Sequence, residues 1–481
     1  MRDPLPCPAT WRLILLASIG AALSAGCAHR AWNQNIDSLA AADRYEFRNR
    51  LPKNAEDTFV VLAFSGGGTR AASFNYGVLQ ALRDTTVTIG GVNRRLLDEV
   101  DVITAVSGGS YTAAYYGLFG DRIFRDFRRE FLYRDWQREL MGLTARPLNL
   151  LAIASPAFNR SDVVAAHLDR TLFKHATFAQ MSRGNLPFVI INASDINNAT
   201  TFSFIQQQFD FLCSDLSSYP VANAVMASSG VPGPFASIAL RNYKDCSERH
   251  QPWVADALAH DDILARRRTV ALALDRYSHP ERMPVLRLVD GGVTDNLGVR
   301  GSMMSPVAHY GNVADMAGAF TPEKLRQVRN VLVIVANAQV YAEYPWSLHG
   351  REPGIINLLR ASFDSALGIL NTETVSLAKQ GFMMWESVAN EVRAPSDPRV
   401  KVSFVVLTFD QIENPGERER FNAMPTTFRL RTDQVDALIA EPKRLLDRSP
   451  DYQKFLCRVD ENARNCPADA PSHGVISESG N

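Results

Sequence analysis

The chain has 481 residues, 46% hydrophobic and 21% charged, an ordinary globular composition that excludes general disorder and a collagen-like or repeat fibre. Lys plus Arg and Asp plus Glu both number 51, so the formal net charge is zero and the basic surplus of a nucleic-acid binder is missing. None of the six cysteines forms a Cys-x-x-Cys pair, which argues against a zinc site, and no motif calls for a metal or an organic cofactor.

The first residues read as an address. Arg2 and Arg12 flank a polar start, residues 13–22 are apolar, and Leu23-Ser24-Ala25-Gly26-Cys27 follows. A charged start, a short apolar run and small residues at the cut describe a secretory signal over 1–26. The run falls short of the roughly 20 residues that span a bilayer. Cysteine directly after small residues resembles a bacterial lipobox, with the usual Leu displaced by one position to Leu23. Cys27 would then become the lipid-bearing first residue of the mature chain. Ala28, where inner-membrane lipoproteins often carry Asp, favours the outer membrane, facing the periplasm. An ordinary signal peptide cut near Ala25 or Ala28 is the alternative. Export places the other cysteines in an oxidising compartment. Cys213–Cys246 and Cys457–Cys466 are the expected pairs, because each closes a modest loop; free buried thiols are the alternative.

After a tether at 27–56 the chain alternates strands and helices. Short β-rich runs predict strands at 57–65, 99–106, 187–194, 199–206, 285–289, 329–336 and 401–409. Helices are expected at 71–83, 109–119, 161–172, 220–229, 357–393 and 432–447. This alternation predicts a three-layer α/β/α fold around a mostly parallel central sheet. The core would span 57–310, with an α/β extension of the same fold over 311–466 and a disordered tail at 467–481. Residues 121–140, rich in Arg and aromatics, put Phe124, Phe127 and Phe131 on one helix face. That face could pack on the core under a solvated charged face, or serve as a membrane-facing lid.

Three segments carry chemistry. Ser65-Gly66-Gly67-Gly68-Thr69-Arg70 links a strand to a helix, and its uncovered N–H groups could hold an oxyanion, a phosphate or a pyrophosphate. Ala105-Val106-Ser107-Gly108-Gly109-Ser110 approximates the G-x-S-x-G elbow, in which small neighbours let strand and helix approach and the serine hydroxyl projects free. Ala105 stands where the pattern has its first Gly. The bland alternative makes Ser107 a helix N-cap. Asp290-Gly291-Gly292 follows the apolar run 285–289, at a strand's C-terminal end, where open α/β sheets place their sites. Alone, it could be no more than an Asp-Gly turn.

Taken in order, these segments resemble the patatin-like phospholipase family, as does Asp215 to Pro232, where an Ala-Ser helix precedes Pro. The resemblance spans about residues 57 to 300, and the rest looks like the extension of bacterial lipoprotein members. It implies a Ser–Asp dyad without His, with Ser107 as nucleophile and Asp290 as general base. The N–H groups of Gly66, Gly67 and Gly68, with Thr69, would form the oxyanion hole. Arg70, Gly109, Gly291 and Gly292 would support the site, Arg70 by fixing the loop or by attracting a lipid phosphate. The implied substrate is a phospholipid or lysophospholipid acyl ester, reached at a membrane through the lipid anchor. Rival readings are an acyltransferase, a general carboxylesterase, and a non-catalytic envelope lipoprotein that binds lipid or a partner. A Ser-acid-His triad using His309, His349 or His473 is the competing mechanism.

Overall fold

Four runs are buried at every position, as a strand covered on both faces requires: β1 (Thr58–Phe64), β2 (Val100–Val106), β3 (Phe188–Asp195) and, far along the chain, Asn330–Ala336. The computed structural model describes residues 30–36, 44–47 and 54–466, except 154, 156–157, 245, 250, 263–265, 302–326, 342–343, 345, 347–349, 351, 392 and 465. The expected signal, Cys27 and the tail at 467–481 lie outside the described residues.

The remaining strands of the main sheet are β4 (Thr200–Ser203), β5 (Ile238–Arg241), β6 (Val285–Val289), β7 (Asn330–Ala336) and β8 (Lys401–Leu407). The sheet runs β8-β7-β1-β2-β3-β6-β5, and β4 folds back on β3. From β8 to β3 every neighbour is parallel; β4, β6 and β5 are antiparallel additions. The fold is therefore a mixed, mostly parallel sheet flanked by helices. The segment expected as an extension supplies β7 and β8, which continue the same sheet beside β1.

The main helices are α1 (Gly68–Arg83), α2 (Gly108–Phe119), α3 (Val221–Ser229), α4 (Ile355–Glu391), α5 (Thr432–Arg448) and α6 (Pro450–Val459). α1 packs between α5 and α2, while α4 and α6 lie against β8. α1 begins three residues earlier than its apolar pattern suggests, because two positive-φ glycines turn the chain straight from β1 into the helix. β5, only four residues long, and α6, capped by Ser449, were not expected.

One expectation needs correction. The stretch read as a tether is packed where it is described. Gln34–Asn35 pairs with Ser214–Asp215, and buried Tyr45 lodges its hydroxyl 2.8 Å from the Val189 carbonyl. Of the two readings of 121–140, the structure shows the face packed on the core. The stretch breaks into short turns around a π-helical segment, Arg128–Leu132, and buries Phe127 and Phe131, which stack on Tyr76 and Tyr111. Its apolar face meets the core and its charges pair along the surface, as Arg122 does with Asp126.

Candidate active site

Ser107 leaves the end of β2 at φ 47° and ψ −120°, a left-handed conformation that costs a non-glycine residue about 1–3 kcal/mol. The turn is held from three sides. Its N–H donates to Ser228 Oγ at 2.8 Å, and that hydroxyl donates to the Asn192 carbonyl at 2.6 Å. Its own carbonyl accepts the N–H of Ser110 at 2.9 Å and that residue's hydroxyl at 2.5 Å. The third support is Gly108, where a Cβ would stand 2.2 Å from the Gly68 carbonyl oxygen, so the elbow and the glycine loop touch backbone to backbone. Ser107 is thus more than an N-cap: its hydroxyl caps nothing in α2.

The Ser107 hydroxyl donates instead to Asp290 Oδ2 at 2.8 Å, across 183 residues of chain. The other carboxylate oxygen accepts the Gly292 N–H at 2.8 Å, and the Asp290 N–H donates to the Gly230 carbonyl at 3.1 Å. Each of the two side chains is 6% exposed, nearly buried yet not sealed. Burial pushes the Asp290 carboxyl up to about 6, partly opposed by the hydrogen bonds from Gly292 and Ser107. One premise of the sequence reading changes here. β6 is antiparallel to β3, so Asp290 does not sit at the carboxyl end of a parallel strand. It arrives from beyond the edge, because β6 overlaps β3 only at Leu288↔Asp195 and Val289↔Ser194.

The glycine loop lies beside this pair, and its four candidate donors are not equivalent. The Gly66 N–H is given to the Asn296 carbonyl and the Thr69 N–H to the Thr427 carbonyl, both at 2.9 Å. Among the described residues no acceptor takes the N–H of Gly67 or Gly68, both of which have positive φ. Of the four candidates, these two N–H groups are the ones without an acceptor among the described residues. Asn296 drew no attention in the sequence. It lies six residues beyond Asp290, and a Cβ on Gly66 would fall 2.3 Å from its Oδ1. The only hint was its place in the polar run that continues Asp290-Gly291-Gly292.

Arg70 is buried and clamps the loop: Nε donates to the Ala338 carbonyl and Nη1 to the Met424 carbonyl, each at 2.8 Å. Burial lowers its guanidinium to about 10, still a cation at neutral pH. A Cβ on Gly109 would lie 2.6 Å from the Phe64 carbonyl, and one on Gly291 2.5 Å from the Asn192 carbonyl, so both glycines permit close backbone contact. A Cβ on Gly292 would lie 3.1 Å from Asp290 Oδ1, so that glycine keeps its N–H close to the carboxylate it supports. Tyr111 lines the same region, its hydroxyl 3.1 Å from Ser229 Oγ and its ring against Phe428.

His309, His349 and His473 lie outside the described residues. Of the described histidines, His167, His175, His260 and His279 each pair with a carboxylate away from Ser107. Among the described residues no cluster of His, Cys, Asp and Glu could hold a metal ion. Cys213 is bonded to Cys246 and Cys457 to Cys466.

The family model described as patatin-like phospholipase matches residues 62–302, half of the chain. Among solved structures, the human GIVD cytosolic phospholipase A2 is similar at 13% identity and a TM-score of 0.42, over 90% of this chain and 69% of that one. No curated protein sequence matches.

Proposed function

We propose a Ser–Asp mechanism for this chain, which belongs to the patatin-like phospholipase family and is a lipid acyl hydrolase. Ser107 Oγ attacks the acyl carbonyl of a phospholipid or lysophospholipid, and Asp290 Oδ2 takes its proton. The carbonyl oxygen gains charge and is met by the Gly67 and Gly68 N–H groups; such a donor lowers a barrier by about 2.7–4 kcal/mol. As the tetrahedral intermediate collapses, the ester C–O bond breaks and Asp290 returns the proton to the leaving alcohol. Water then repeats the sequence on the acyl-enzyme, again giving its proton to Asp290, and Ser107 is regenerated. A carboxyl raised to about 6 suits this work: ionised at neutral pH, it is still a far better base than a solvated aspartate.

The observation that carries the reading is the 2.8 Å Ser107–Asp290 hydrogen bond made by a serine held at φ 47°. We further propose that Cys27 carries lipid and holds the enzyme at the outer membrane, facing the periplasm. A fluorophosphonate probe tests the nucleophile. The native chain should label and release fatty acid from phosphatidylcholine, and Ser107→Ala should do neither. Equal labelling of both would move the nucleophile elsewhere, and no labelling of either would favour a non-catalytic lipid binder.

A further inference from the structure

Helix α4 is longer than the sheet it packs on. At about 1.5 Å per residue its 37 residues extend about 55 Å, whereas the seven residues of β8 cover about 23 Å. The C-terminal half lies along the sheet: Ala378, Phe382, Trp385 and Ala389 are buried, and Asn390 grips the Val400 backbone at the start of β8. The N-terminal half passes the opposite edge, the one that holds Ser107. There Asn371 meets Gln339 in the loop after β7, and Arg300, in the loop after Asp290, reaches Thr374.

Beyond that edge described residues cover little of the helix, Asp364 accepting from the Tyr344 hydroxyl at 2.9 Å. No described side chain from 355 to 370 is buried. Ile355 and Ile356 are 78% and 82% exposed, and Leu358, Leu359, Phe363 and Ile369 are exposed with them. At about 100° per residue, these six occupy one stripe about 160° wide. A second element is equally bare. Helix Pro147–Ile153 has no buried residue and shows Leu148, Leu150 and Leu151. It leads to Ser161, which bonds the Ala236 carbonyl in the loop after α3, next to Gly230 and Asp290.

Exposed apolar stripes of this size are uncommon on a soluble surface and mark a contact. No described helix is long and apolar enough to cross a membrane, so the stripe suits one leaflet, in the manner of an interfacial helix. Arg360 and Asp364 are the only charged residues from 355 to 370, so attachment would depend on apolar insertion and little on anionic headgroups. We propose that the projecting half of α4, together with helix Pro147–Ile153, docks on a phospholipid bilayer and sets the mouth of the site against the leaflet that supplies the acyl ester. A second copy would cover both elements and bring no substrate; a bilayer covers them and delivers it. The inference rests on the hydrolase reading for why the surface lies at this edge.

The test places a nitrobenzoxadiazole label by Leu359→Cys in the full chain. Cys7→Ser, Cys27→Ser and Ser107→Ala are also introduced, so that neither anchor nor hydrolysis intervenes. Phosphatidylcholine vesicles should shift its emission to the blue at low and high salt alike, and brominated acyl chains should quench it. A label at Lys379→Cys, on the packed half, should not respond. No response at 359 overturns the proposal. So does a response to protein concentration without vesicles, which assigns the stripe to a second copy. In the otherwise native chain, Ile355→Asp with Leu359→Asp should cut hydrolysis of vesicle lipid about tenfold and leave that of a soluble butyrate ester within about twofold; equal losses on both also overturn it. A native chain that cleaves neither ester defeats the Ser–Asp reading, while the fluorescence result still decides docking.

Discussion

Ser107 and Asp290 meet by opposite routes. Ser107 steps off β2, a strand parallel to both neighbours and buried along its length, into the N-terminus of α2. Asp290 comes off β6, an antiparallel strand that is buried at only some positions and touches β3 at two register pairs. The first half supplies conformation: a strained turn, clamped by Ser228 and by backbone contact with Gly68. The second supplies an environment: a carboxylate taken out of water and left with two hydrogen bonds. On the proposed mechanism the nucleophile's readiness is stored in backbone geometry and the base's readiness in desolvation, so the two halves should fail differently.

The largest effect should come from Asp290→Asn. It keeps the shape and an acceptor for Gly292 but cannot take a proton, so kcat/KM should fall by about a thousandfold or more, as losses of such partners do. Stability should move the other way. The folded pKa of about 6 stands above the ordinary aspartate value of 3.8, so as pH rises the unfolded chain gives up this proton first. Stability from this group is full below about pH 4, declines up to about 6 and stays flat above, a loss of about 3 kcal/mol. Asp290→Asn should therefore raise the melting temperature at pH 7, measured by calorimetry. The native enzyme's kcat/KM should climb with pH up to about 6 and level off. A variant that is both inactive and less stable would mean that the carboxylate holds the loop together as an anion.

The same contrast explains how much of the site was legible. Ser107 and the glycine loop could be read because their constraints are local: small residues on either side of a turn, glycines at positive φ. Asp290 was readable as a residue but not as a direction, since nothing in Val285–Val289 records whether the strand runs with or against β3. The two spent donors, Gly66 and Thr69, were invisible because their acceptors, Asn296 and Thr427, come from distant chain. The same holds for 121–140. Apolar spacing at 121–140 shows that a face will be covered, not by what. The bare stripe on α4 has the same periodicity and a different fate.

A middle-sized effect should follow from Ser228→Ala. It removes the acceptor for the Ser107 N–H and the donor for the Asn192 carbonyl, two buried groups that would each be left unpaired at about 1–3 kcal/mol. Ser228 touches no reacting atom, so it positions the elbow. kcat should drop about tenfold with KM little changed, the pH profile should keep its midpoint near that of Asp290, and Ser228→Thr, which keeps the hydroxyl, should restore part of the rate. A shifted midpoint would instead place Ser228 in the electrostatics of the base.

The smallest effect is the most pointed for the nucleophile half. Ala105 stands where the elbow pattern begins with glycine, and Ala105→Gly would complete that pattern. The structure gives no reason to expect a gain. Ala105 is fully buried in β2, in register with Phe64 and Ile191, and its carbonyl accepts from Asn192 Nδ2 at 3.2 Å. The tight approach is made on the other side of the serine, at Gly108, where a Cβ would run into the Gly68 backbone. Deleting the Ala105 methyl leaves that approach unchanged and adds backbone freedom to the unfolded chain, a cost of about 0.5–1 kcal/mol. Turnover of a soluble ester should stay within about twofold of native while the melting temperature falls slightly. A tenfold faster Ala105→Gly enzyme would show that the methyl holds the turn away from its best geometry, and that the strain at Ser107 is set by β2 rather than by the contact with the glycine loop.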